Sequence, residues 1–128
     1  MAEPVRVVHY LNQFFAGIGG EEAANRPVEV RDGPVGAGRA LQQALGAEGT
    51  IVATVVGGDN FVAEEAERAA AAIRAALTER RPDVVVAGPA FDSGRYGLAC
   101  ARACIEAQAL GIKAVTAMYP DNPGFTTN

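Results

Sequence analysis

Apolar positions along this chain fall into four short β-branched runs: Val5–Leu11 (VRVVHYL), Thr50–Val56 (TIVATVV), Val84–Ala87 (VVVA) and Ile112–Met118 (IKAVTAM). Runs of this length bounded by Gly, Pro, Asn or Asp predict strands, those at Thr50–Val56 and Val84–Ala87 buried. The segments between them carry a helical period. Gly33-Pro34 opens the first predicted helix, with Pro where its missing N–H costs nothing. Ala37, Leu41, Ala44 and Leu45 form its inner stripe and Gly46 ends it. The second helix, Phe61–Arg80, places Val62, Ala66, Ala69, Ile73 and Leu77 on one face. Glu64, Glu67, Arg68 and Arg74 cover the other face, Glu64 and Arg68 forming an i,i+4 pair, and Arg81-Pro82 stops the helix. The third follows the Gly88-Pro89 turn and runs to Gly111. Leu98, Ala101 and Ile105 make one of its stripes, and Cys100, Ala103, Cys104 and Ala107 another. So narrow a polar face (Arg95, Arg102, Glu106) predicts cover on two sides, by the sheet and by a neighbouring element or subunit.

Strands alternating with helices predict an α/β fold, Rossmann- or flavodoxin-like: a small open parallel sheet of about four strands with helices on both faces. At 128 residues the chain is expected to form one domain. Each strand then exits into a Gly-, Asn- or Asp-rich loop, and in a parallel sheet all four exits share one edge, where strand C-termini meet helix N-termini. The stretch Asn12–Gly33 has no sustained apolar period, and connections of that length are usually functional or disordered. The chain after Met118 offers no further helix to cover the last strand, so another polypeptide is expected to complete the sheet, either a second subunit or the remainder of a longer precursor.

Composition narrows the class. Apolar residues make up 49% and charged residues 20%, which argues against disorder. The net charge of −4 with scattered basic residues argues against nucleic-acid or anionic-membrane partners. No run reaches the roughly 18 apolar residues of a membrane span, and the N-terminus has no signal-peptide pattern, so a cytoplasmic location is expected.

The candidate chemistry lies on the predicted edge. Gly17, Gly19 and Gly20 can bring backbone close to a ligand. Glu21 and Glu22 directly after them would repel a phosphate and suit a cation, such as an ammonium group or a partner's Arg; a solvated acidic turn is the plainer reading. Phe14 and Phe15 can pin this loop to the body or line a cavity. Asp59 and Asn60 are candidate ligands or simply caps of the next helix. Gly88, Pro89 and Phe91 form the central turn. Backbone amides after it and the Arg95 side chain are candidates for binding a carboxylate, and Asn122 lies on the last exit. Tyr96, Tyr119 and Cys100 are the candidate catalytic side chains. Cys100 and Cys104 share a helix face and read as buried small hydrophobes or as a redox pair; nothing nearby completes a four-ligand zinc site, and no metal site is predicted. His9, inside the first strand, is either a hydrogen-bonded core histidine or a base. Asn128 can be the last residue before a self-cleaving bond, which would make this chain the front fragment of a proenzyme.

Four blocks, VVHYLNQFFAGIGGEEAA, IVATVVGGDNF, AGPAFDSGRYGLAC and AVTAMYPDNPG, taken in order, resemble the N-terminal part of the selenoprotein B component of the glycine, sarcosine and betaine reductases, with D-proline reductase as a relative. The resemblance implies a subunit of an enzyme that reductively cleaves the C–N bond of a small amino acid or its methylated form. It further implies that a selenocysteine attacks the substrate's α-carbon and that partner subunits supply a pyruvoyl group and reducing equivalents. Subunits of this kind arise partly by self-cleavage. The family's selenocysteine lies beyond the point where this chain stops, so no cofactor is expected on the chain itself. Family members often carry cysteine at the position of Gly57, and Asn-Ala where this chain has Asp92-Ser93. The alternative is a non-catalytic binding or scaffold subunit.

Overall fold

A computed structural model describes residues 3–91, 93–118 and 122–124. The elements in chain order are β1 (Val5–Asn12), β2 (Glu29–Asp32), α1 (Gly38–Leu45), β3 (Gly49–Gly57), α2 (Asp59–Glu64), α3 (Ala66–Arg80), β4 (Val84–Phe91), α4 (Gly94–Ala109) and β5 (Lys113–Met118). They build one five-stranded sheet in the order β2-β3-β1-β4-β5. The pairs β1–β3, β1–β4 and β4–β5 are parallel, and β2 runs antiparallel to β3.

The predicted α/β architecture is present, with helices on both faces. Side chains alternate between faces along each strand. Val8 and Tyr10 of β1, Ala53 and Val55 of β3, and Val85 and Ala87 of β4 pack with Ile73, Leu77, Ala99 and Ala103 of α3 and α4 in the main core. On the opposite face His9 meets α1 at Gly38. Gln42 fastens α1 to the sheet: its Nε2 donates to the Gly49 carbonyl (2.9 Å) and its Oε1 accepts from the Ile51 N–H (2.7 Å). Between α3 and α4, the buried Glu106 carboxylate accepts from Arg74 Nη2 (2.7 Å) and Nε (3.0 Å).

Three features depart from the pattern read in the sequence. The sheet has five strands, because Glu29–Asp32, inside the stretch read as a loop, pairs with Ala53–Val56. The first helix begins at Gly38 and not at Pro34, because residues 34–37 dock on the β1 exit, where the Ala37 N–H donates to the Phe15 carbonyl (2.8 Å). Ala37 and Ala44 are exposed, leaving Leu41 and Leu45 as the half-buried stripe. The helix read over Phe61–Arg80 starts at Asp59 and breaks at Glu65 into α2 and α3. The Ala24 carbonyl accepts the N–H groups of both Asn60 (2.8 Å) and Phe61 (3.1 Å) and so anchors α2 apart from α3; Arg68 pairs with Glu65 at the break. The α4 stripe is partly covered: Ala101 is buried, while Leu98 and Ile105 on either side of it are exposed.

Candidate functional site

The parallel strands run β3-β1-β4-β5. The connection from β1 leads to one neighbour, β3, and the chain then crosses to β4 on the other side of β1. The switch point is therefore the β1–β4 boundary, where an open α/β sheet leaves a crevice outside its strand C-termini. A crevice of ≈ 400 Å³ opens there, lined by His9, Leu41, Val86, Pro89, Phe91 and Phe15 among others. Its lining is almost wholly apolar. His9 Nε2 donates to the Gly88 carbonyl (2.8 Å), so the ring is fixed as the Nε2–H tautomer, and burial holds its pKa below the ordinary imidazole value. It is the hydrogen-bonded core histidine of the two sequence readings.

A polar cluster sits at the same sheet edge, built from the exits of β1 and β3. Asp59 begins α2 and is only 5% exposed. Its Oδ2 accepts from Asn12 Nδ2 (3.1 Å) and, at longer range, from Gln13 Nε2 (3.4 Å), and its N–H donates to Gln13 Oε1 (3.0 Å). Its Oδ1 is buried without a partner among the described residues. Burial raises the Asp59 pKa, against the pull of the Gln13 and Asn12 donors and of Arg95. Asn12 Oδ1 in turn accepts the Phe15 N–H (2.9 Å). Phe15 then stacks on Tyr96 (centroids 5.6 Å apart, rings 26° from parallel) and leans on Phe91 (6.0 Å). One ring thus joins the apolar crevice to the first turn of α4.

Arg95 projects from that turn and bonds Asn60 Oδ1 with Nη1 and Glu21 Oε1 with Nη2. Glu21 is thus paired within the chain by Arg95, where the sequence pattern suggests a cation from outside it. Glu22 turns away: its Oε1 accepts the Gly20 N–H (2.9 Å), which lowers its pKa. Of the three loop glycines Gly17 alone has a left-handed φ (+79°), while Gly19 donates its N–H to the Gln13 carbonyl (3.3 Å). Asn122 closes the edge on the α4 side. Its Nδ2 donates to the carbonyls of Phe91 (3.0 Å) and Ser93 (3.1 Å), and a Cβ on Gly97 would lie 1.9 Å from its Oδ1, so only glycine admits it.

The structure thus brings Gly19, Gly20, Glu21, Glu22, Asp59, Asn60, Gly88, Pro89, Phe91, Arg95 and Asn122 to one end of the sheet. Tyr96 and Cys100 lie beneath it, fully buried, and burial pushes the phenol and the thiol well above their ordinary values. Tyr119 and Asn128 lie outside the described residues, as does Asp92. Sequence reasoning missed Asn12 and Gln13, although an amide pair directly after a buried strand was the available signal. Gly57 also has a steric reason: a Cβ there would sit 2.5 Å from the Tyr10 hydroxyl and 2.8 Å from Val62 Cγ2. A wider hollow, ≈ 720 Å³, lies away from these polar groups, between α4 and β5. Among the described residues no cluster of His, Cys, Asp and Glu could hold a metal ion, and no helix is long and apolar enough to cross a membrane.

Fold and edge together define a doubly wound α/β protein with a switch-point crevice beside an Arg–Glu pair. Comparison with known sequences then identifies the family. The profile of "Glycine/sarcosine/betaine reductase selenoprotein B (GRDB)" matches residues 4–128, and the chain belongs to that family. It is 56% identical over 121 residues to "Glycine reductase complex component B subunit gamma" of Symbiobacterium thermophilum, covering 94% of this chain and 28% of that one. It is 51% identical over 121 residues to "Sarcosine reductase complex component B subunit beta" of Peptoclostridium acidaminophilum, with the same coverage. To "Betaine reductase complex component B subunit beta" of the same organism it is 39% identical over 121 residues, covering 93% of this chain and 27% of that one. The chain therefore spans well under a third of the length of these relatives. No solved structure matches it.

Proposed function

We propose that this stretch is the α/β part of a component B subunit, and that its strand C-terminal edge binds the substrate for reductive C–N cleavage of a small amino acid. Glycine, sarcosine and betaine, the compounds in the relatives' names, set the substrate class. The attacking nucleophile and the electrons come from elsewhere in the complex, consistent with the burial of Cys100. A selenocysteine or pyruvoyl group belongs to the rest of the subunit or to partner subunits, and the assembly works in the cytoplasm.

The observation that carries this reading is the pairing of Arg95 with Glu21, from elements 74 positions apart in the chain. An amino acid zwitterion is complementary to such a pair. Its carboxylate takes the Arg95 guanidinium in the forked geometry that favours arginine, and its ammonium takes the Glu21 carboxylate. Both side chains are solvent-accessible, at 42% and 73%, so the pair can open to admit a ligand. Asn60 holds Arg95 in register, and the Asp59–Gln13–Asn12 cluster ties the β1 exit that leads to Glu21 to the start of α2, which carries Asn60.

The competing reading is a scaffold in which the same pair only clamps the β1 exit to α4. Steady-state kinetics of Arg95→Ala and Glu21→Gln in the assembled complex separate the two. Substrate binding predicts a KM raised about tenfold or more in each variant, the loss expected for a charge-assisted hydrogen bond, with subunit assembly intact. An unchanged KM in both variants leaves the scaffold reading standing.

A further inference from the structure

The two edges of the sheet are built differently. At one edge, β2 is four residues long and reads Glu-Val-Arg-Asp. Glu29 is paired with both Arg26 (3.1 Å) and Arg31 (3.0 Å), and Asp32 with Arg80. Short length and fixed charge are how an edge strand is closed to further pairing. At the other edge, β5 is six residues long and reads Lys-Ala-Val-Thr-Ala-Met, with Lys113 as its one charge. It pairs with β4 on one side and with no described strand on the other. Val115, in its middle, is 54% exposed.

Exposed apolar side chains concentrate at that end. Eight large apolar side chains are exposed among the described residues, and five of them, Phe91, Leu98, Ile105, Leu110 and Val115, lie on the end of β4, on or just after α4, and on β5. Patches of this kind mark an interaction surface. The ≈ 720 Å³ hollow, lined by Ala101, Cys104, Ile105, Ala114, Ala117 and Met118 among others, runs along the same side.

We infer that the sheet continues past β5: a sixth strand, parallel to β5 and contributed by the rest of the same subunit, pairs with its open edge. A helix connected to that strand fills the hollow between α4 and β5 and covers Ile105 and Leu98. The occupant is assigned to the same polypeptide because the matching stretch makes up only 28% of the relatives, and open parallel sheets grow by adding strands through crossover helices. The inference uses the component B reading only for the length of the chain; it does not depend on what Arg95 binds.

Hydrogen exchange of the full-length subunit, followed by mass spectrometry at two protein concentrations, tests this. The Lys113–Met118 amides are expected to exchange at least a hundredfold more slowly than the Glu29–Asp32 amides at both concentrations. An Ile105→Glu substitution on the exposed face of α4 is expected to speed exchange in β5 about tenfold or more while β1 stays protected. If β5 exchanges as fast as β2, the sheet ends at β5 and the inference fails. Protection that disappears on dilution assigns the edge to a second copy and overturns the assignment to the same chain. A normal β5 result with an unchanged KM for Arg95→Ala would sink the substrate site alone.

Discussion

Asp59 offers the sharpest test of the site's construction, because removing its carboxyl and removing only its charge should differ widely. Asp59→Ala deletes the acceptor of Asn12 Nδ2 at 3.1 Å and of Gln13 Nε2 at 3.4 Å. Both amides are buried, at 4% and 3% exposure. A buried donor left unpaired costs about 1–3 kcal/mol, and the weaker Gln13 bond falls at the low end, so the expected loss is about 2–4 kcal/mol. Asp59→Asn keeps a carbonyl oxygen for the same two donors and mimics the neutral acid that burial favours, so its cost should stay within about 1 kcal/mol. The pH dependence has a definite sign. With the folded-state pKa raised, the native chain holds a proton that the unfolded chain has already released once the pH passes about 4. The contribution of Asp59 is therefore complete below pH 4 and is lost as the pH climbs through the raised value. The stability difference between wild type and Asp59→Asn isolates it, since every other titrating group is common to both. Urea midpoints measured from pH 4 to 7 supply the assay; with a slope of about 1.5 kcal/mol per M, the Ala variant should shift by about 1.3–2.7 M. Equal costs for Ala and Asn, or a wild-type advantage that grows with pH, would refute the account of a raised, hydrogen-bonded carboxyl.

Two further outcomes follow from the packing beneath the edge. Gly57→Ala forces a methyl to within 2.5 Å of the Tyr10 hydroxyl and should cost about 1–3 kcal/mol, while Tyr10→Phe alone, which removes a buried hydroxyl with no partner among the described residues, should cost under about 1 kcal/mol and recover part of the Gly57→Ala loss in the double variant. Maleimide labelling at pH 8 should modify Cys104 slowly and Cys100 only on unfolding, because both thiols are pushed above their ordinary pKa by burial and Cys100 has no exposed surface; rapid native-state labelling of Cys100 would contradict its placement in the core.

The parallel framework was legible because its strands are dense runs of Val, Ile and Ala that no helical period can imitate. What escaped the sequence was set by contacts between distant segments. Glu29–Asp32 holds one apolar residue, Val30, and becomes a strand only because the edge of β3 is there to pair with. Pro34 is a genuine helix-start signal, but the Phe15 carbonyl captures the Ala37 N–H and delays the helix by a turn. No Gly or Pro marks the break at Glu65; it follows from the Ala24 carbonyl holding the start of α2. The site shows the same division. That the strand exits share an edge follows from alternation alone. That Glu21 and Arg95 satisfy each other, and that Asn12 and Gln13 are the residues holding Asp59, could not be read from spacing.

The chemistry of the two hollows decides which of them can serve a substrate. Glycine and its N-methylated forms are small zwitterions whose binding requires paired charges more than apolar area. The switch-point crevice, walled by Leu11, Val86, Pro89 and Phe91 over a neutral His9, offers no charge to either end of such a molecule. It suits an apolar side chain, whereas the hollow beside β5 is more mixed, with Gln108 and Thr116 among its lining residues. The polypeptide inferred to complete the sheet would cover the hollow beside β5 and the neighbouring Leu98 and Ile105, drying the α4 side of the edge. Water exclusion strengthens charge pairing. An Arg95–Glu21 pair that is half-solvated in this stretch by itself would grip a zwitterion more tightly in the assembled subunit. On this view affinity for the substrate depends on β5 being covered. The Ile105→Glu variant should therefore weaken substrate binding even though the side chain touches neither partner of the ion pair, and retained binding with an uncovered β5 would break the link between the two proposals.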